Sequence, residues 1–391
     1  MKKKMKHISL LVVCMALFLS GCGTKEEWYT QIEDITAAEY AEMDMPDELS
    51  VEQYEISLAD HANECGADTC DGIIYYLVDY SDYLIDQTGV HDIPFEDKYN
   101  TQVWAYDTQT GENKLLYKYQ EDKCVSVGEI CCNKKYLIWE EYRQGGWKVV
   151  GFPLGESSPE PKIIVERDPD RGQLWDISPI LTEDALYWYD QLDGDHPISL
   201  FKCGLEDGKI DKIRQGLAVQ SSLTMMPKGE TVFCENYEDG SDLIFHELQD
   251  QEESIVRVPT KINSPVISQE ICAWAKGSDV GERESIYVYH REDKALEEID
   301  ISPYTGAYYE VMDSFLFVVC RDYGHAGVGG LYCYDTNNKG YIRLPFDEED
   351  YFFFIQRPAD GTLFLEMSKE GDRDSEENLF RTVIISKKAA D

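Results

Sequence analysis

From about residue 51 to the end, short apolar runs rich in Val, Ile, Tyr, Phe and Trp alternate with Gly, Asn, Asp and Pro. That is the pattern of β-strands joined by turns, and helical periodicity hardly appears. One marker recurs: a strand, a turn and a second short strand. Examples are Gln102-Val-Trp-Ala-Tyr106-Asp-Thr-Gln-Thr-Gly111 with Lys114-Leu-Leu-Tyr117, and Gly330-Leu-Tyr-Cys-Tyr334-Asp-Thr-Asn-Asn338. Aligned on the turn, equivalent positions fall at Tyr106, Val150, Cys203, His246, Tyr289, Tyr334 and Thr382, at intervals of 44, 53, 43, 43, 45 and 48 residues. A period in the forties marks the blades of a propeller.

Ahead of each marker lies another strand, such as Ile73–Leu77, Tyr136–Trp139, Thr231–Cys234 or Phe315–Val318, and before most of these one more. Four-stranded sheets of this kind leave aromatic faces wet unless they are arranged radially. The expected fold is therefore an all-β propeller of four-stranded antiparallel blades, with seven units from residue 51 onward. Six or eight blades stay open, because both ends of the repeat are irregular. The last unit lacks a fourth strand after Val383–Ser386, and a long gap separates Tyr54–Leu58 from Ile73. Residues 51–58 would close the ring by completing the last blade. Blade one would then take its inner strand from the stretch around Cys65 and Cys70, which reads better as a turn.

The first 22 residues follow other rules. Lys2, Lys3, Lys4 and Lys6 form a positive head, Ile8 to Leu19 run almost wholly apolar, and Leu19-Ser20-Gly21-Cys22 follows. A short apolar stretch feeding small residues is an export signal and not a spanning helix. Leu-Ser-Gly-Cys resembles the lipobox of bacterial lipoproteins. The resemblance implies diacylation of the Cys22 thiol, cleavage just before it, and anchoring on the extracytoplasmic face of a membrane. Two acyl chains anchor durably where one is marginal. An ordinary secretory signal with an incidental Cys22 is the alternative. The expected organisation is a signal peptide at 1–21, a lipid anchor and acidic tether at 22–50, and the propeller at 51–391. An early packed helix near Ile32, Ile35 and Tyr40 competes with the tether.

Charge narrows the partners. Acidic residues number 76 against 36 basic, a net charge of -40, which loss of the four leader lysines deepens to -44. Such a surface repels phosphate backbones, so nucleic acid is not an expected partner. The remaining partner classes are a glycan, a peptide or another envelope protein. Of twelve cysteines, Cys65 and Cys70 form the best local disulfide candidate, flanking Gly66 to Thr69, and Cys320 and Cys333 lie across a hairpin loop. Cys203, Cys234 and Cys272 sit within apolar strands and read as buried small hydrophobes. Neither zinc spacing nor a complete calcium loop occurs, although Asp190 to Asp195 is oxygen-rich, and no metal or cofactor is expected.

In such blades the second-to-third-strand connections emerge on one face, and here they are long and varied, for instance Asp79 to Asn100 and Arg321 to Gly329. Binding residues concentrate on loops held by a rigid scaffold. Four connections open on an acidic or amide residue followed by tyrosine: Asp79-Tyr80, Glu141-Tyr142, Asn236-Tyr237 and Asp322-Tyr323. Tyr80, Tyr142, Tyr237 and Tyr323 form the candidate binding face, joined by Trp175, Arg321 and His325, which depart from the repeat. A sugar would stack on such rings and a cation would sit over them. The plainer reading is a blade-consensus tyrosine that covers the end of the hydrophobic stack.

No serine elbow, metal pair or phosphate loop appears, so no catalytic residue is assigned. A propeller lyase or hydrolase with a base among His91, His196 and His325 is the alternative to a binding module. The repeat region resembles the TolB-like propellers of secreted bacterial proteins, especially propeller lipoproteins. That resemblance implies a binding or scaffolding role and transfers no functional residue.

Overall fold

The computed structural model describes residues 28–58, 63–79, 102–119, 126–143, 146–155, 160–166, 179–190, 198–217, 229–248, 252–276, 284–321, 329–346, 350–356, 358, 361–369 and 379–388. Four strands come first: β1 (Tyr29–Gln31), β2 (Thr36–Ala38), β3 (Ala41–Glu42) and β4 (Leu49–Ser57). Blade 1 holds β5 (Asn63–Cys70), β6 (Ile73–Asp79), β7 (Gln102–Asp107) and β8 (Asn113–Lys118). Blade 2 holds β9 (Ser126–Cys132), β10 (Tyr136–Arg143), β11 (Gly146–Pro153) and β12 (Lys162–Glu166). Blade 3 holds β13 (Ile180–Leu181), β14 (Ala185–Asp190), β15 (Ile198–Gly204) and β16 (Ile210–Leu217).

Blade 4 comprises β17 (Glu230–Tyr237), β18 (Gly240–Glu247) and β19 (Glu253–Val258). Blade 5 has β20 (Val266–Ile267), β21 (Ile271–Ala275), β22 (Ser285–His290) and β23 (Ala295–Asp300). Blade 6 has β24 (Thr305–Met312), β25 (Phe315–Arg321), β26 (Gly329–Asp335) and β27 (Gly340–Arg343). Blade 7 has β28 (Asp350–Gln356), β29 (Leu363–Lys369) and β30 (Leu379–Lys387).

The ring closes through β4, which pairs antiparallel with β30 from Leu49↔Lys387 to Leu379↔Ser57. The N-terminal strand thus supplies the fourth strand that blade 7 lacks. Blade 1 accordingly takes β5 as its inner strand, and the turn expected there is a two-residue hairpin displaced to Asp71-Gly72. Both residues have positive φ, 52° and 77°, the geometry Asp-Gly adopts most readily.

Among the described residues, apolar side chains gather into seven clusters, one per blade interface. Trp139 and Phe152 fill the wedge between blades 1 and 2, and Trp274 that between blades 4 and 5. Buried polar groups staple neighbours together. Asp68 Oδ2 accepts the Cys132 amide at 2.7 Å, Asn133 Nδ2 donates to the Thr182 carbonyl at 2.6 Å, and Gln356 Nε2 donates to the Ala67 carbonyl at 2.6 Å.

Two expectations from the sequence are corrected. The described part of the acidic segment, from residue 28 on, is not a free tether: β1, β2 and β3 lie parallel against β19, β23 and β27, the outer edges of blades 4, 5 and 6. This belt covers edges that would otherwise expose unpaired amides and carbonyls. Ile32 and Ile35 pack on the core between blades 4 and 5, and Tyr40 on that between blades 5 and 6. The Met43 side chain lies directly over Gly340, where a larger residue would have to displace it.

The cysteine pairs are corrected too. Cys65 and Cys70 share strand β5. Five residues of strand separate their Cα atoms by about 16 Å, far beyond disulfide reach. Cys70 is a buried free thiol beside Cys132 of the next blade. Cys320 and Cys333 are free and face different cores, since Cys320 opposes Gly330 and Cys333 opposes Phe317. Cys203, Cys234 and Cys272 are buried in strands, as the apolar pattern predicts.

Ile56 of β4 is buried between blades 7 and 1 against Tyr76, Phe364 and Phe380. Ile56→Ala should destabilise the ring by about 2–4 kcal/mol in urea unfolding. Ile35→Ala, on the belt, should cost about 1 kcal/mol or less. Equal costs would contradict the closing role of β4.

Candidate functional site

Tyr80, Trp175, Tyr323, His325, His91, His196 and Cys22 lie outside the described residues. Tyr142 occupies the end of β10 in blade 2, and Arg321 the end of β25 in blade 6. Tyr237 ends β17 and is exposed. Its hydroxyl donates to Glu235 Oε2 at 2.8 Å, and with partial burial this bond pushes the phenol up to about 12. The Arg257 guanidinium sits 4.5 Å over the ring and is itself paired with Asp239 at 2.6 Å and Asp242 at 3.1 Å. One ring face expected to receive a cation therefore already holds one from the same blade.

The neighbouring Asn236 serves the scaffold. Its Oδ1 accepts the Ile262 amide and its Nδ2 donates to the Ile262 carbonyl, both at 2.9 Å, tying blade 4 to the segment entering blade 5. Histidines beside the marker turn are also structural. His246 Nδ1 lies 3.1 Å from Glu253, and His290 Nε2 lies 3.0 Å from Glu297. Among the described residues, no group of His, Cys, Asp and Glu is arranged to hold a metal ion.

A cleft of about 440 Å³ opens elsewhere, on the rim between blades 5 and 6. The belt builds one side of it, through Ala38, Tyr40 and Glu42, as it crosses from β2 to β3. Buried Tyr334 forms the floor. Tyr40 meets it edge-on with centroids 5.5 Å apart, and Tyr341 stacks on it at 5.9 Å. Across the cleft Tyr304 and Tyr332 lie 5.8 Å apart. These rings also pack against the core between blades 5 and 6, so they are held in place while the cleft stays open.

Glu297 is the support of the belt wall. Its carboxylate accepts from Tyr40 Oη at 2.6 Å and Lys339 Nζ at 2.5 Å, and lies beside His290. Burial pushes the carboxyl up, but hydrogen bonds from His290, Lys339 and Tyr40 outweigh it and hold the group below its usual range. The Tyr40 phenol is raised by burial and by the same carboxylate. The sequence pattern missed this site because its tyrosines come from the belt, β26, β27 and the turn after β23. The visible hint was the density of Tyr around Tyr332, Tyr334 and Tyr341.

The architecture is that of a seven-bladed β-propeller, and comparison with solved structures agrees. No protein-family model matches the chain, and no curated protein matches it. The β-propeller domain of the Trilobed protease from Pyrococcus furiosus overlays with TM-score 0.57 at 11% identity, over 83% of this chain and 94% of that one. YCF48 bound to D1 peptide overlays with TM-score 0.51 at 10% identity, covering 90% and 98%. TolB from Acinetobacter baumannii gives TM-score 0.41 at 12% identity, covering 75% and 78%. Against acylaminoacyl peptidases the chain spans about half of the partner's length, 49%. At these identities the likeness is one of fold alone.

A depressed carboxyl contributes stability above its unfolded-state value and loses it as pH falls through the lower folded value. Amide protection of residues 36–42 should therefore drop on acidification below the normal glutamate range, while that of β4 persists. Glu297→Gln should show loosened protection already at neutral pH. Hydrogen exchange scaled to the intrinsic rate at each pH measures this, and unchanged protection in Glu297→Gln would remove the carboxylate from the belt's support.

Proposed function

We propose that this chain is an extracytoplasmic binding module, held to a membrane through lipidated Cys22, that engages a neutral or cationic partner without chemical turnover. The observation that carries the reading is the preformed tyrosine cleft between blades 5 and 6. A concave site with fixed aromatic walls and convergent polar groups is the form small ligands select. The propeller supplies rigidity, since each blade is clamped between two others. A propeller fold is consistent with binding and scaffolding roles, and YCF48 offers one with a peptide bound. The leader pattern before Cys22 supports export and anchoring, and the belt then carries the chain from that end onto the rim.

Two measurements test this. Cys22→Ser should abolish fatty-acid labelling and move the protein from membrane to medium, and unchanged labelling rejects the anchor. A binding screen of residues 23–391 against glycans and envelope proteins should yield a ligand whose binding is lost on Tyr304→Ala with Tyr332→Ala. A cationic partner should weaken steeply with salt and a neutral one hardly at all. Product formation from a polysaccharide or peptide library, abolished by replacing His91, His196 or His325, would replace the binding module with the lyase or hydrolase alternative.

A further inference from the structure

We propose that the cleft between blades 5 and 6 binds a short neutral oligosaccharide; the proposal rests on the binding-module reading and names the ligand class of that site. The first ground is the ring arrangement. Tyr40, Tyr304, Tyr332 and Tyr341 are half-buried, with their packed sides set into the core between blades 5 and 6. Rings already fixed lose little freedom when the apolar face of a sugar stacks on them.

The second ground is the mixture of polar groups. A sugar hydroxyl both donates and accepts, so a sugar site needs both partners. Arg343 supplies donors at the cleft, while Asp300 and Glu42 supply acceptors. Asp300 Oδ1 accepts the Ser302 amide at 2.9 Å, and that bond keeps the carboxyl below its ordinary range, hence charged at neutral pH.

Arg343 is the third ground. Acidic residues outnumber basic ones 76 to 36, yet among the described residues Arg343 makes no ion pair. It lies across Gly330, whose Cβ would stand 2.7 Å from Arg343 Nε, so the missing side chain makes room for it. An exposed guanidinium lining a cleft, with no carboxylate paired to it, has its fork of donors open to a ligand.

Charge and edges weigh against the other classes. An anion would meet Asp300, Glu42 and the net charge of -40. A cation would be drawn by Asp300 and Glu42 but opposed by Arg343, whereas a neutral polyhydroxyl ligand uses the donors and the acceptors together. An extended peptide commonly docks by adding a strand to an open edge, but the outermost strands here, β2 and β3, are only three and two residues long and offer few backbone partners.

The full chain, solubilised in detergent, should be screened on an array of neutral oligosaccharides of glucose, N-acetylglucosamine, mannose and galactose, followed by calorimetric titration of the best binder. Arg343→Ala, an exposed change that leaves the core intact, and the double change Tyr304→Ala with Tyr332→Ala should each weaken binding about tenfold or more. Tyr237→Ala, on the loop face, should leave it unchanged. Raising salt from 50 to 500 mM should alter affinity less than about twofold. Sugar binding indifferent to Arg343→Ala, or no sugar binding, overturns the proposal. A peptide or cationic ligand lost in the same variants would retire the oligosaccharide but keep the binding module, whereas no ligand of any class would defeat both.

Discussion

A sheet with apolar side chains on both faces is unstable in water unless each face meets another sheet, and this requirement organises the whole molecule. Alternate residues of each blade point into different wedges: in β25, Phe317 and Val319 pack toward blade 7 while Leu316 and Val318 pack toward blade 5. No blade can satisfy both faces alone, so the chain must return to its start. The β4–β30 pairing makes that return, and it ties blade 7 to the segment that leads directly into blade 1. Burial is cooperative around the ring because removing any blade uncovers two wedges.

The belt follows from the same closure. Once β4 is committed to blade 7, the chain preceding it must pass along the outside of the ring. There it finds the unpaired outer edges of blades 6, 5 and 4 in turn. Its strands are only two or three residues long, too short to form unaided, and they exist because the blade edges present a ready-made ladder. Tyr40, Lys339 and Glu297 then fasten the middle of the belt, and the cleft is the space left where it steps between blades. A segment rich in acids thereby becomes part of a wall, with its carboxylates mostly facing solvent.

Blade number, strand type and the closing strand were legible in the chain because they are periodic. Tyr106, Cys203, Tyr289 and Tyr334 mark third strands in the structure as they do in the repeat. The loop-face tyrosines were legible in the same way, and for the same reason their reading is less specific. A repeated residue such as Asn236 proves to clamp the scaffold. Cys65 and Cys70 are near in sequence yet apart in space because one extended strand separates them, whereas Cys320 and Cys333 lie on adjacent strands and serve opposite faces of the blade.

What the sequence determined by itself is the local order: which residues are strands, where chains turn, and that the strands recur at blade spacing. These depend on side-chain alternation and turn chemistry within a few residues. Tertiary structure alone decided the course of residues 29–42, the separation of Cys320 from Cys333 and the gathering of tyrosines at the rim. Each of those is a meeting of segments far apart in the chain. Tyr40 and Glu297 are 257 residues apart, and no pattern within either segment encodes their contact. It arises because closing the ring fixes where every blade edge lies, and only then do those edges capture the passing chain.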